Sequence, residues 1–215
     1  ALNSIVLSSA SNETTPSVVA GQTLQFTATG FDEFGNSVSI TPTYSTSSGT
    51  ISSSGLLTAP TSVGSLNVTA TSASVSATKQ VTVLPDALDR AVLPQPVIVV
   101  VGQQVQLNAV GYDQYDNVVS LSGYAYQVSH GSVTPTGLFT APTSVEHVSV
   151  SLTGAGLPMG LSVTGDVYAV ADAVAFAQII PVVFSLDNHE TAQFSVINAV
   201  DQYGNPVNIT VNENG

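Results

Sequence analysis

The 215-residue sequence has no cysteine and no tryptophan, and its only lysine and only arginine are Lys79 and Arg90. Without cysteine there can be neither disulfide staples nor zinc–thiolate sites. Two cations cannot neutralise a run of phosphates, so nucleic acid is excluded as a partner. Charged residues make up 7% of the chain, against a usual share of about 25%. Fourteen acidic side chains against two basic ones leave a formal net charge of −12. Long apolar runs are missing as well. The most apolar stretches, 96–101 and 173–186, are short or are broken by Gln178 and Pro181, so no membrane-spanning helix is predicted. Disorder is excluded too, because 43% of the residues are hydrophobic and charge is sparse. A chain this poor in ion pairs has little to lose on acidification, and the expected setting is extracellular.

What is present is a repeat. One copy reads Ala20-Gly21-Gln22-Thr23-Leu24-Gln25-Phe26, then Gly30-Phe31-Asp32-Glu33-Phe34-Gly35-Asn36. A second reads Val101-Gly102-Gln103-Gln104-Val105-Gln106-Leu107, then Gly111-Tyr112-Asp113-Gln114-Tyr115-Asp116-Asn117. A third keeps Gln193-Phe194 and Asp201-Gln202-Tyr203-Gly204-Asn205. A later block occurs twice: Gly55-Leu56-Leu57-Thr58-Ala59-Pro60-Thr61-Ser62-Val63 and Gly137-Leu138-Phe139-Thr140-Ala141-Pro142-Thr143-Ser144-Val145. The period is about 80–90 residues, the size of one small β-sandwich rather than a solenoid turn.

Within each unit the apolar positions alternate. Leu24, Phe26 and Ala28 are interleaved with Gln25, Thr27 and Thr29; Leu66, Val68 and Ala70 with Asn67, Thr69 and Thr71. Val105, Leu107 and Ala109, and Val148, Val150 and Leu152, follow the same rule. This spacing gives a strand one core face and one wet face. Gly, Pro, Asn and Ser punctuate the strands at intervals of roughly 8–12 residues. The predicted fold class is all-β, built of tandem sandwiches. Residues 166–177, the best helical stretch, also read as a strand followed by a linker.

The Asp-x-aromatic-x-Asn turn, followed by Gly-Leu-(Leu/Phe)-Thr-Ala-Pro, resembles the bacterial and archaeal immunoglobulin-like surface repeats of the Big or invasin type. That resemblance covers almost the whole chain. It implies immunoglobulin-like β-sandwiches in tandem, an extracellular structural or adhesive role, and no active site. The expected divisions are 1–85, 86–171 and a partial third unit, 172–215. A half sandwich exposes an apolar sheet face and open edges, which either a longer chain or strands from another molecule would cover. The architecture is similar to subunits of archaeal threads and strand-exchanged pili, with Ile5, Val6 and Leu7 in the expected donor strand. The function expected is a structural subunit of an extracellular filament or cell-surface layer, with copies of itself as partners. The alternative is a surface adhesin or a carbohydrate-binding accessory module of a secreted protein.

Side chains that could carry chemistry are few. Asp32, Asp113 and Asp201, with Asn36, Asn117 and Asn205, offer oxygen atoms of the kind calcium takes. The same residues shape tight turns, and their recurrence in every unit favours the turn. Phe34, Tyr115 and Tyr203 are expected to pack over the sandwich end, with sugar stacking as the alternative. Asn12, Asn67 and Asn208 each begin an N-glycosylation pattern, so N-glycans are an expected covalent partner in an archaeal or eukaryotic source. His130, His147 and His189 lack metal-ligand spacing, and no G-x-S-x-G elbow occurs. No catalytic residue and no cofactor are expected. Lys79 is expected to guard a strand edge, with an internal isopeptide bond to Asn or Asp as the alternative.

Overall fold

The computed structural model describes residues 1–11, 13–93, 95–180 and 194–209. Its regular elements are all strands. Contacts group the chain into two compact units. Unit 1 is residues 1–90 with 111–120, and unit 2 is residues 91–110 with 121–215. The turn of the second sequence repeat therefore belongs by its contacts to the first unit.

Unit 1 is a sandwich of two sheets. One runs Ser4–Ser9, Thr23–Phe31, Leu56–Thr58, Thr50–Ile51, with Ser37–Val38 paired on Thr23–Phe31. The other runs Ser17–Val19, Val75–Leu84, Gly64–Ser72, Thr43–Thr46. Ser17–Val19 lies parallel to residues 82–84, while Gly64–Ser72 pairs antiparallel with Val75–Leu84 along its whole length. The alternation explains the layering. Leu66, Val68 and Ala70 point inward, and Phe26 and Leu57 meet them from the other sheet, all at 2% exposure or less. Asn67 and its wet-face neighbours stay outside.

Unit 2 repeats the plan. Val97–Val100, Val163–Val170, Glu146–Thr153 and Ala125–Val128 form one sheet, and Gln104–Gln106, Leu138–Thr140 and Ser132–Val133 face it. Val148, Val150, Val167 and Phe139 fill the interior. Residues 166–170 lie in a strand, so the helical alternative for 166–177 is not adopted there. Phe176–Ile180 and Ser195–Val200 make a separate two-stranded ladder. Phe176 and Ile179 are each more than half exposed on it.

Ile5, Val6 and Leu7, expected to be donated to a neighbouring subunit, are seated in their own sandwich. Ser4–Ser9 pairs with residues 26–31 over six consecutive positions, and Ile5 and Leu7 are buried. The apolar side of this strand is buried within the chain, and its ladder runs along one edge only, since it is the end strand of its sheet.

Candidate functional site

The recurring turns and loops come together in one device, built twice. In unit 1, Asp113 opens a tight turn whose first amide donates to the Asn117 carbonyl at 3.0 Å. The Asp113 carboxylate closes the turn from inside. Its Oδ1 accepts the amides of Tyr115 and Asn117 at 2.9 Å each. Its Oδ2 accepts Asn117 Nδ2 and the amide of Asp86, both at 2.8 Å. Asn117 then reaches across the fold. Its Nδ2 donates to the Thr61 carbonyl at 2.8 Å, and its Oδ1 accepts the Val63 amide at 3.1 Å. The side-chain amide thus does for the Thr61-Ser62-Val63 loop what a neighbouring strand would do.

Unit 2 holds the same arrangement. Asp201 Oδ1 accepts Tyr203 and Asn205 amides at 2.9 Å, and Oδ2 accepts the Asp172 amide at 3.1 Å. Asn205 Nδ2 donates to Thr143 O at 2.7 Å, and Oδ1 accepts the Val145 amide at 3.1 Å. Gln114 and Gln202 complete the pair by donating to Asp86 and Asp172 Oδ2 at 2.6 and 2.8 Å.

The aromatic residue of each turn rests on the Gly-Gln turn of the preceding repeat. A Cβ on Gly21 would lie 2.6 Å from Tyr115 Oη, and one on Gly102 would lie 2.5 Å from Tyr203 Oη. Both glycines also have φ +74°, a region that costs other residues strain. Glycine is therefore required twice over. The Gly-Gln turn and the Thr-x-Val loop are tied together: Gly21 and Gly102 amides donate to the Pro60 and Pro142 carbonyls at 3.1 and 3.0 Å. In unit 1 Arg90 adds a clamp, donating to Asp116 at 2.6 Å while lying 4.2 Å over the Tyr112 ring.

Electrostatics follow from this geometry. Burial alone would raise the Asp113 pKa. The Asn117 side chain and the amides of Asp86, Asn117 and Tyr115 outweigh burial and hold it at about 2, against an ordinary 3.8. Asp201 is at about 2 for the same reason, with Asn205, Asp172 and Tyr203 as donors. Asp32 is lowered as well, first by the Asn36 side chain.

These findings alter the reading of several residues. The Asp113 and Asp201 carboxylates, weighed as calcium ligands, face N–H groups, which would repel a cation. Among the described residues no three His, Asp or Glu side chains gather as metal ligands would. Tyr115 and Tyr203 cover the Gly-Gln turn at the end of the preceding repeat, whereas Phe34 is 81% exposed instead of packed. Asn67 and Asn208 are exposed, while Asn12 lies outside the described residues, as does Thr210 of the last glycosylation pattern. His130 pairs with Glu146 at 3.2 Å and His147 with Asp166 at 2.6 Å on the surface of unit 2; His189 lies outside the described residues. Lys79 is half-buried opposite Val68, beyond the reach of the short Ser17–Val19 strand. Among the described residues no Asn or Asp is hydrogen-bonded to it. The link from Asn117 to Thr61 and Val63 was not foreseen, although both motifs recur in a fixed order.

No protein-family model matches the chain, and none of the curated proteins does. Solved structures do. FdeC, an adhesin of Escherichia coli, superposes with a TM-score of 0.58 at 19% identity, covering 96% of this chain and 77% of FdeC. InvD of Yersinia pseudotuberculosis gives 0.54 at 17% identity, covering 94% and 72%. The surface-layer protein SbsC gives 0.39 at 20% identity, covering 98% of this chain and 32% of that one. The chain shares the fold of FdeC and InvD. It is an all-β chain of immunoglobulin-like sandwiches.

Proposed function

We propose that this chain is a structural, non-enzymatic stretch of an extracellular or cell-surface protein, in which immunoglobulin-like repeats follow one another and are fastened by the Asp-x-aromatic-x-Asn turn. One observation carries the reading: the twice-built latch of Asn117 on Thr61 and Val63, and of Asn205 on Thr143 and Val145. A carboxylate saturated with hydrogen bonds, beside an amide that also bonds a distant loop, is spent on holding rather than on chemistry. Serine- and threonine-rich outer faces keep such a stretch wet with little charge, and glycans on Asn67 or Asn208 would project into solvent.

Within this reading the chain acts as a filament or surface-layer subunit that associates with copies of itself. Assembly by donor-strand exchange requires Ser4–Ser9 to leave its own ladder and enter a neighbour's. Electron microscopy of the purified chain is the test. Regular fibres support the filament form, and fibres that persist after deletion of residues 1–9 remove the donor role. Separate particles at every concentration sink self-assembly.

A second reading, adhesin or carbohydrate-binding module, is favoured by the likeness to FdeC, itself described as an adhesin. Binding on a glycan array or to host cells, without fibres, would select it.

A further inference from the structure

The Asp-x-aromatic-x-Asn turn occurs three times, and in two of them a Thr-x-Val loop covers it. The first has the same internal frame. Asp32 Oδ1 accepts the amides of Phe34 and Asn36 at 2.9 and 2.8 Å, and Asn36 Nδ2 donates to Asp32 Oδ2 at 3.1 Å. The Asp32 amide donates to the Asn36 carbonyl at 3.0 Å, as in the other two copies. The turn is thus formed before anything docks on it. Its outer face is open. Phe34 is 81% exposed, against 38% for Tyr115 and 43% for Tyr203. Among the described residues Asn36 bonds to Asp32 alone. The groups that seize Thr61, Val63, Thr143 and Val145 elsewhere are idle here.

We infer that the turn carrying Asp32, Phe34 and Asn36 is a docking surface for another immunoglobulin-like repeat, one presenting a Gly-Gln turn beside a Thr-x-Val loop. This rests on the modular reading above. The two covered copies in the same chain identify the occupant. The aromatic ring lies on a glycine whose missing Cβ makes room for it, and the Asn amide pairs with one carbonyl and one amide of the loop.

One difference sets which repeat fits. Glu33 stands where Gln114 and Gln202 donate to the linker carboxylates of Asp86 and Asp172. A carboxylate only accepts, so the docking repeat must bring a donor at that linker position: Asn, Ser or Lys rather than Asp. Register is also defined. The Asn3 amide donates to Phe31 O at 2.8 Å, as Asp89 does to Tyr112 O and Ala175 to Val200 O. Joining residues 86–172 directly ahead of Ala1 therefore places residue 172 opposite the first turn as it stands opposite the third.

The test is the full chain extended in that way, with Asp172→Asn in the added segment. Amide hydrogen exchange at residues 34–36 is expected to slow by about tenfold relative to the unextended chain. Phe34→Ala should restore fast exchange and lower the unfolding midpoint of the extended chain, while leaving that of the unextended chain unchanged; Asn36→Ala, which also removes the bond to Asp32, should lower the midpoint of the extended chain by more than that of the unextended one. Retaining Asp at 172 should give less protection at pH 7. Exchange unaffected by the extension, or midpoints insensitive to both substitutions, would overturn the inference. Asn117→Ala in the same chain separates the two readings. If it frees residues 115–117 while the first turn shows no response, the modular reading stands and the inference falls; if neither responds, both fall.

Discussion

Asn117 and Val63 lie 54 positions apart, yet the side-chain oxygen Oδ1 of Asn117 accepts the Val63 amide at 3.1 Å while the same side chain is held by the Asp113 carboxylate. The amide group is oriented by its neighbour before it meets the loop. Orientation matters, because the donating and accepting ends of an amide differ by a rotation that costs little in water. Asp113 accepts only, so it turns Nδ2 toward itself and leaves Oδ1 for Val63.

Removing that amide should therefore strand several partners at once. Asn117→Ala leaves the Val63 amide and Thr61 carbonyl without it and is expected to destabilise unit 1 by about 1–3 kcal/mol. Asn117→Asp should be worse at pH 7, because it sets a second carboxylate beside Asp113, and should recover in part at pH 4 as the pair takes up a proton. Denaturant unfolding at both pH values measures this. An Asn117→Asp variant with no pH dependence would contradict the account.

Acid stability follows from Asp113 and Asp201. Both are held at about 2, below the ordinary 3.8. The folded chain thus gives up these protons more readily than the unfolded one. Their stabilising contribution is complete above the ordinary value and fades as pH falls toward the folded value. The melting midpoint should stay nearly level from pH 7 to about 4 and drop between about 4 and 2. Asp113→Asn should lower the midpoint at pH 7 and flatten the acid limb. Exposed pairs such as Arg90 with Asp116 add little to the profile. A midpoint that falls steeply between pH 7 and 5 would refute this assignment.

Gly102 offers a steric test of the aromatic contact. An alanine there must adopt φ +74° with its Cβ against Tyr203 Oη. The expected cost of Gly102→Ala is about 1–3 kcal/mol, combining backbone strain and overlap. Tyr203→Ala in the same chain should relieve the overlap and leave the strain, so the double-variant cycle should show a favourable coupling. Additive effects would mean that the ring does not rest on the glycine.

The layers of the fold were legible because alternation is a local code. Leu66, Val68 and Ala70, and Val148, Val150 and Leu152, announce an inward face over three turns of a pleat, and all six are buried. The tight turn at Asp113 was legible for the same reason, since an aspartate and an asparagine four residues apart can close a loop unaided. The latch was not. Period-two spacing says nothing about which distant carbonyl an asparagine will meet, and Thr61-Ser62-Val63 has no strand pattern of its own. Its one trace is that the loop motif and the turn motif recur in fixed order, a covariation of position rather than of side-chain type. The pattern of Ile5 and Leu7 does not say whose sheet they complete, because an apolar, uncharged end strand reads the same whether it completes its own sheet or another's.

Packing supplies the final prediction. Phe26 and Phe139 are buried at 1% and 0% exposure in separate apolar clusters. Truncation to alanine at either should cost about 3–5 kcal/mol through lost contacts and a residual cavity. If each sandwich is stabilised chiefly by its own interior, Phe139→Ala should accelerate hydrogen exchange at Val148, Val150 and Val167 and leave Leu66, Val68 and Val81 protected. Phe26→Ala should do the reverse. Exchange mapped residue by residue reads both outcomes at once. Loss of protection throughout the chain from either substitution would mean that the two interiors melt as one.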